Sequence, residues 1–192
     1  MDLIDNKVTT IRSYAKRLKL SWLSLNATEM LLRAQKESPS YDDFLNDFLA
    51  QEVAGREERQ RQKRLKEARL PMNHDLGIYD HSMSNGLSAT QLNQLRELHW
   101  VEESFNLMLA GPCGVGKTFI AAGLCADAID KGYKAYFRNM DELLTTLKLK
   151  NIVASAKREY KNLIAADVVV IDDLMNISVN REEGNLLFAF IN

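Results

Sequence analysis

Apolar residues in the first third of the chain recur at the spacing of α-helices. One helical face collects Val8, Ile11, Ala15 and Leu18. Asn26 followed by Glu29 has the spacing of a capping box, which predicts the start of a second helix that Pro39 ends. Ser40 can then cap a long third helix. The apolar stripe of that helix consists of Phe44, Leu45, Phe48, Leu49 and Val53.

The middle of the chain lacks this periodicity. Turn-forming residues are frequent over 71–87, which predicts an irregular connector with Asn85 and Gly86 near its end. Ser88 and Gln91 have the spacing of another capping box, over a short helix that reaches about Leu98. The sequence therefore predicts a helical region over 1–70 and a connector with one short helix over 71–104.

From Phe105 onward the pattern alternates between short apolar runs and amphipathic stretches. FNLMLA predicts a buried strand, TFIAAGLCADAIDK a helix closed by Gly132, and YKAYF a second strand. Asp141 can cap the next helix, and DVVVIDD predicts a third strand. Alternation of this kind predicts a parallel sheet with helices on its faces, built from residues 105–192.

Composition and charge narrow the class of protein. The chain has 192 residues and is 46% apolar, which is typical of a globular protein. Residues 1–70 carry 14 basic and 11 acidic side chains, and the remainder carries 11 and 15, a weak lean towards nucleic acid in the front part. Two cysteines and three scattered histidines indicate neither a disulfide framework nor a metal centre. Without a leader or a long apolar run, we expect a cytoplasmic protein with no membrane partner.

The far end of the third predicted helix is strongly basic. GREERQRQKRLKEAR carries seven basic residues and three glutamates, and it has almost lost the apolar stripe. A solvated helix held by Glu–Arg pairs and an arm that contacts DNA phosphates both fit this pattern. The two interpretations stay open at this point.

A glycine-rich loop between the first predicted strand and its helix indicates a phosphate site. GPCGVGKT fits the pattern G-x-x-x-x-G-K-[ST], with Gly111, Gly116, Lys117 and Thr118 at the fixed positions. Glycines let the backbone wrap a polyphosphate, and the helix offers its N–H groups and dipole to the same anion. Lys117 can neutralise the outer phosphates, and Thr118 can supply a hydroxyl to Mg²⁺. The loop and the next residue form the predicted nucleotide site: Gly111, Pro112, Cys113, Gly114, Val115, Gly116, Lys117, Thr118 and Phe119.

Two aspartates end the third predicted strand. An apolar run that ends in Asp, downstream of a phosphate loop, is the Walker B arrangement, and it places Asp172 beside the loop as a second contributor to the Mg²⁺ site. Asp173 can orient or deprotonate an attacking water. We therefore predict Thr118 and Asp172 as metal residues, and Lys117 and Asp173 as catalytic residues.

Longer stretches of the chain resemble one family. NLMLAGPCGVGKTFIAAGLCADAIDKGYKAYF resembles the AAA+ nucleotide-binding core of the IstB family, which are helper ATPases of transposition, and of the related DnaC-type helicase loaders. IRSYAKRLKLSWLSLNATEMLLRAQ and YDDFLNDFLAQE are similar to the IstB amino-terminal helices. HW, AADVVVIDDL and NREEGNLLFAFIN fit the same family in the same order.

The resemblance implies an α/β P-loop NTPase of AAA+ type, with an incomplete parallel-sheet core after a helical amino-terminal region. It also implies ATP and Mg²⁺ as cofactors, DNA and a transposase as partners, and self-assembly into a homo-oligomer. One departure is the LMN that follows Asp173, where the family tends to have a glycine.

A second departure concerns the end of the sequence. The family continues with a strand that carries a polar sensor residue and with an arginine that reaches a neighbour's γ-phosphate. Neither follows here, so we expect a truncated form, with a gap between the phosphate-loop strand and the Walker B strand. We expect such a chain to bind ATP and to hydrolyse it negligibly. A transposition helper, a helicase loader and a non-hydrolysing remnant that binds nucleotide or partners stay open as functions.

Overall fold

The computed structural model describes residues 2–82, 87–174 and 178–191, and it divides the chain into two compact units, 1–62 and 63–192. The predicted turn residues Asn85 and Gly86 lie outside the described residues, as do Met175 and Asn176 of the departure after Asp173. Among the described helices, none is both long enough and apolar enough to cross a membrane.

The first unit is helical, as the apolar periodicity predicts. Its helices are α1 (Asp2–Arg17), α2 (Ser21–Glu37) and the first part of α3 (Tyr41–Ala68). Val8 and Ala15 of α1 are buried, as are Ala27 and Met30 of α2. Ser40 accepts a hydrogen bond from the Asp43 N–H at 3.2 Å, which confirms its predicted role as the cap of the long helix.

The prediction that Asn26 and Glu29 open the second helix was wrong. α2 begins five residues earlier, at Ser21, and the Asn26 amide donates to the Trp22 carbonyl inside the helix. The N–H of Leu23, in the first turn, donates instead to the Glu52 carboxylate of α3 at 3.1 Å. The acceptor of this N–H group therefore lies 29 residues away in sequence, whereas the local pattern predicts an acceptor on a neighbouring side chain.

The second unit begins with the end of α3 and contains the α/β part of the chain. Its elements are a 3₁₀ turn (Leu76–Ile78), α4 (Ala89–Arg96), α5 (His99–Glu102), α6 (Lys117–Asp130), β1 (Ala135–Asn139), α7 (Met140–Leu149), α8 (Ala154–Ile164), β2 (Val168–Asp172) and α9 (Arg181–Ile191). The capping box of Ser88 and Gln91 is present at the start of α4, which confirms that prediction. Asn139 caps α7, so the assignment of that cap to Asp141 was wrong.

The sheet consists of β1 and β2, which run parallel, and Asn139 at the end of β1 lies opposite Asp172 at the end of β2. The register begins at a polar clamp, where the Lys134 N–H donates to the Asp167 carboxylate at 2.7 Å. The Asp167 N–H donates back to the Lys134 carbonyl at 2.9 Å. Two of the three predicted strands are therefore confirmed, with their carboxyl ends side by side.

The prediction of a buried strand over 105–110 was wrong. The segment forms no strand, and Phe105, Leu107 and Met108 are exposed. A strand is stabilised by ladder hydrogen bonds, and among the described residues no strand pairs with this segment.

Helix α6 lies at the centre of the second unit. Its buried face packs on β1 and β2 in a cluster of Ala122, Cys125, Ala128, Ile129, Ala135, Phe137 and Val168. Burial raises the pKa of the Cys125 thiol to about 12, so this cysteine is uncharged. On another side, Leu76 lies against Gly123, where an added Cβ would be 2.2 Å from a Leu76 side-chain atom. Only glycine at 123 lets the connector pack this closely on α6.

A buried arginine joins β1 to the end of α3. The Arg138 side chain is 2% exposed and donates to the Glu159 carboxylate of α8 at 2.6 Å. It also donates to the carbonyls of Ala68 and Glu67, at 2.7 and 3.1 Å. These carbonyls belong to the last turn of α3, where no further helical N–H can reach them. Arg138 therefore caps the helix and neutralises a carboxylate.

Candidate functional site

The glycine loop has the backbone conformation that its sequence predicts. Gly114 and Gly116 have φ angles of 83° and 86°, in the left-handed region that favours glycine. A Cβ at either position would have no heavy atom within 4 Å, so glycine is required for conformation and not for packing. Gly116 is also the N-cap residue of α6, and it has no side chain that could occupy the first N–H groups of that helix. These N–H groups are arranged to bind an anion.

Lys117 is held over the loop. Its Nζ donates to the carbonyl oxygens of Gly111 and Pro112, at 2.9 and 2.7 Å. The ammonium therefore lies on the same stretch of backbone whose glycines form the turn. A polyphosphate bound to the helix N-terminus would meet this charge, and phosphate oxygens are stronger acceptors than carbonyls because they are ionised.

Thr118 and Asp172 meet across the site. The Thr118 hydroxyl donates to Oδ1 of Asp172 at 3.2 Å, although the two residues are 54 positions apart in sequence. Thr118 is in the first turn of α6, and Asp172 is the last residue of β2. The carboxyl end of a parallel strand and the start of the helix beside it thus bring a hydroxyl and a carboxylate together.

This pair of oxygens is suited to a hard divalent cation. Mg²⁺ is usually held by one or two protein oxygens, and waters and phosphates complete its octahedron. Thr118 and Asp172 could hold it in that way, with Thr118 exposed and Asp172 half-buried. An ion held there would supply positive charge to phosphate oxygens. Among the described residues, no cluster of three or more His, Cys, Asp or Glu side chains forms an alternative metal site.

Asp173 follows in a strained conformation. Its φ is 57°, and its side chain is exposed. Aspartate tolerates the left-handed region better than most residues because its short side chain can hydrogen-bond locally. The conformation thus favours an aspartate over a longer acid directly after the strand. Pro112, Cys113 and Val115 line the remaining part of the loop, and Cys113 is a free, exposed cysteine.

One group of residues near the start of α6 could not be predicted from the sequence motifs. Tyr79 stacks on Phe119, with ring centroids 6.3 Å apart and an angle of 15° between the rings. His81 lies edge-on to Tyr79, with centroids 5.0 Å apart. Tyr79 and His81 lie in a connector that also contains apolar residues such as Leu76 and Ile78, and nothing in its sequence predicts that it packs on α6.

The fold and the loop together define a class. A glycine loop, a helix that starts at its lysine, and a parallel strand that ends beside that helix are the core of a P-loop nucleotide-binding protein of the α/β class. The sequence model of the family described as "IstB-like ATP binding protein" matches residues 13–192. The chain belongs to this family.

Individual relatives are similar over most of the chain. A Bacteroides fragilis protein, named as an ATP-binding protein of an IS21-like insertion sequence, is 42% identical over 192 residues, which is all of this chain and 73% of the relative. Another from strain YCH46 of that species is 40% identical over 178 residues, 93% of this chain and 89% of the relative. A Pseudomonas aeruginosa protein, named for the insertion sequence IS21, is 36% identical over 176 residues, 92% of this chain and 66% of the relative.

Proposed function

We propose that the chain binds ATP with Mg²⁺ at the glycine loop and acts in transposition, on DNA and together with a transposase. The observation that carries the nucleotide part is the contact of Thr118 with Asp172 beside the loop. In this proposal Gly111–Thr118 and Phe119 form the nucleotide site, and Lys117 neutralises the phosphates. Thr118 and Asp172 hold the metal, and Asp173 positions a water.

Transposition is favoured over helicase loading by the relatives. The proteins compared above are named for insertion sequences, which are mobile DNA elements. An ATP-binding protein of such an element has DNA and the transposase of that element as its natural partners. Assembly into a homo-oligomer would bring a neighbouring subunit to the nucleotide and could supply the positive charge that phosphoryl transfer requires.

Metal dependence tests the nucleotide part of this proposal. We expect Asp172→Asn to weaken ATP binding about 10- to 100-fold in the presence of Mg²⁺, since loss of a charged partner of a metal costs about that much affinity. In EDTA the variant and the parent should bind ATP equally. Isothermal titration calorimetry under both conditions measures the difference.

Asp141→Asn is the matched control, because it removes one exposed carboxylate from the first turn of α7. It should leave binding unchanged in both conditions. Equal affinities of the parent and Asp172→Asn with Mg²⁺ would rule out Asp172 as a metal residue.

The DNA part of the proposal rests on the second half of α3. Several of its basic side chains face carboxylates, as in the pairs Arg59–Glu52, Arg61–Glu58 and Lys63–Glu67. Arg56 and Lys66 are exposed and have no carboxylate partner within the described ranges. The pairs agree with a solvated helix, so phosphate contacts are expected first from the two unpaired side chains.

We expect replacement of Arg56 and Lys66 by glutamine to weaken binding to unrelated DNA duplexes to a similar degree. The slope of log affinity against log salt concentration should become shallower by about 2, because each phosphate contact contributes about 0.9. Fluorescence anisotropy over a salt series measures it. Replacement of Lys157 and Lys161, which are exposed on α8, removes the same charge elsewhere and should leave the slope unchanged. An unchanged slope in the α3 variant would leave only the solvated-helix interpretation.

A further inference from the structure

The first unit carries its charges in two separate blocks. Residues 6–28 contain basic side chains and no acidic one, and most of this block belongs to α1. Residues 38–55 contain acidic side chains and no basic one, and most of this block belongs to the first half of α3. The basic residues are Lys7, Arg12, Lys16, Arg17 and Lys19, and the acidic residues are Asp42, Asp43, Asp47 and Glu52.

Ion pairs inside the unit leave the charge of α1 and of the first turn of α3 uncompensated. Within residues 6–62 the described ion pairs are Arg33–Glu37, Arg33–Asp47, Arg59–Glu52 and Arg61–Glu58. None of these pairs includes a basic residue of α1, or Asp42 or Asp43. Both aspartates are exposed, and Asp43 accepts a hydrogen bond from the neutral Ser40 hydroxyl at 2.6 Å.

Each charged block also contains a row of exposed apolar side chains. On α1, Tyr14 and Leu18 are four residues apart, which places them on one face, and they are 56% and 68% exposed. On α3 the same spacing of four residues relates the exposed side chains of Tyr41, Leu45, Leu49 and Val53. Exposed apolar side chains that lie together indicate an interaction surface.

The two rows have similar lengths. Lys7 lies seven residues before Tyr14 and therefore on the same face of α1, so the row from Lys7 to Leu18 is about 16 Å long. The row from Tyr41 to Val53 is about 18 Å long. Rows of side chains four residues apart are the ridges through which one helix packs on another. A basic ridge and an acidic ridge of equal length are complementary in shape and in charge.

A second copy of the chain supplies the partner of each row. The rows do not cover each other within one chain, since both are exposed in the same structure. If α1 of one copy meets α3 of a second copy, each of the two copies keeps one uncovered row. Such a contact joins two different surfaces, so it is heterologous, and further copies can be added to it.

We propose that the row Lys7–Leu18 of α1 docks on the row Tyr41–Val53 of α3 in a second copy, so that the chain associates head to tail through its helical unit. This association needs neither nucleotide nor the glycine loop, and it therefore goes beyond the proposed function. One contact between two helices is much smaller than a standard protein interface, so the association is weak, in the range of about 10–100 µM. Because opposite charges face each other, salt weakens it further.

Sedimentation velocity of the full chain at about 1–200 µM protein measures the association. We expect the parent to associate at low salt and to dissociate in about 1 M salt, where charges are screened beyond about 3 Å. Two double variants each remove one row and keep good helix formers: Tyr14→Gln with Leu18→Gln, and Leu45→Gln with Leu49→Gln. Each should raise the Kd of association about 10- to 100-fold.

The matched control is Leu25→Gln with Leu32→Gln on α2. These leucines are 74% and 60% exposed and lie outside both rows, so the control should associate like the parent. Circular dichroism checks that every variant keeps its helical content. Lys117→Ala should also associate like the parent, so failure of the proposed nucleotide site and failure of this inference are separate results.

A mixture of the α1 variant and the α3 variant tests the head-to-tail arrangement. The mixture contains one intact α1 row and one intact α3 row that can meet, so we expect dimers with one chain of each variant and nothing larger. A mixture that stays monomeric would overturn the arrangement. A parent that stays monomeric at low salt, or row variants that associate like the parent, would overturn the proposal and leave the rows to other partners, such as DNA phosphates at α1.

Discussion

Replacement of Lys117 by alanine is expected to abolish detectable ATP binding by this chain. The Lys117 ammonium lies over the loop at 2.9 and 2.7 Å from the carbonyls of Gly111 and Pro112, where the outer phosphates would bind. Charge-assisted hydrogen bonds contribute about 1.5–3 kcal/mol each, so the loss of two corresponds to a decrease in affinity of about 100-fold or more. Isothermal titration calorimetry with ATP and Mg²⁺ measures it, and the helical content should stay unchanged.

The chain offers a close control in Lys131. Its Nζ also donates to two backbone carbonyls, those of Arg96 and Glu97, at 3.1 and 2.7 Å. Lys131→Ala removes the same kind of contact from the other end of α6, so it should leave ATP affinity unchanged. Equal ATP binding by Lys117→Ala and the parent would disprove the phosphate cradle.

The second large effect concerns stability. Arg138→Ala is expected to lower the free energy of unfolding of the second unit by about 3–5 kcal/mol, the usual cost of removing one partner of a buried ion pair. Among the described residues, Glu159 would keep the longer contact with Arg69, at 3.8 Å, and the last carbonyls of α3 would lose the Arg138 donor. Urea unfolding followed by circular dichroism measures the change.

A double variant distinguishes the ion pair from simple packing. Arg138→Met with Glu159→Met removes both charges and keeps apolar volume, so it should be more stable than Arg138→Met alone. The ion pair Arg96–Asp127 is more exposed than Arg138–Glu159, so it is a suitable comparison. Arg96→Met should lower the free energy of unfolding by less than Arg138→Met does. Similar costs for Arg96→Met and Arg138→Met would contradict a special role of the buried arginine.

Local sequence signals predicted those features that depend on neighbouring residues. The capping box at Ser88 and Gln91 is an interaction over three positions, and it forms as predicted. The loop of Gly111–Thr118 needs only its own glycines and the helix that follows. The strand that ends at Asp172 was predictable because its valine run and its aspartates are contiguous.

Features that depend on partners far away in the sequence could not be predicted from local sequence signals. The N–H at the start of α2 finds its acceptor in Glu52, and the segment 105–110 remains without a ladder because pairing is a property of another stretch of chain. Arg138 looks like an exposed residue in a strand, yet it is buried by a helix end 70 positions earlier. Tyr79 stacks on Phe119 of α6, and Leu76 of the same connector packs against Gly123 of that helix.

The polar clamp at the beginning of the two strands has a consequence for the fidelity of folding. Val168, Val169 and Val170 are chemically identical, so this strand contains almost no information about its own alignment. A slip by one residue would turn Asp172 to the opposite face of the sheet and leave Thr118 facing an apolar neighbour. Asp167 and Lys134 exclude that misalignment, although they lie about 17 Å from Asp172, five strand residues away. The position of the Asp172 carboxylate beside Thr118 therefore depends on a pair of hydrogen bonds at the opposite end of the strand.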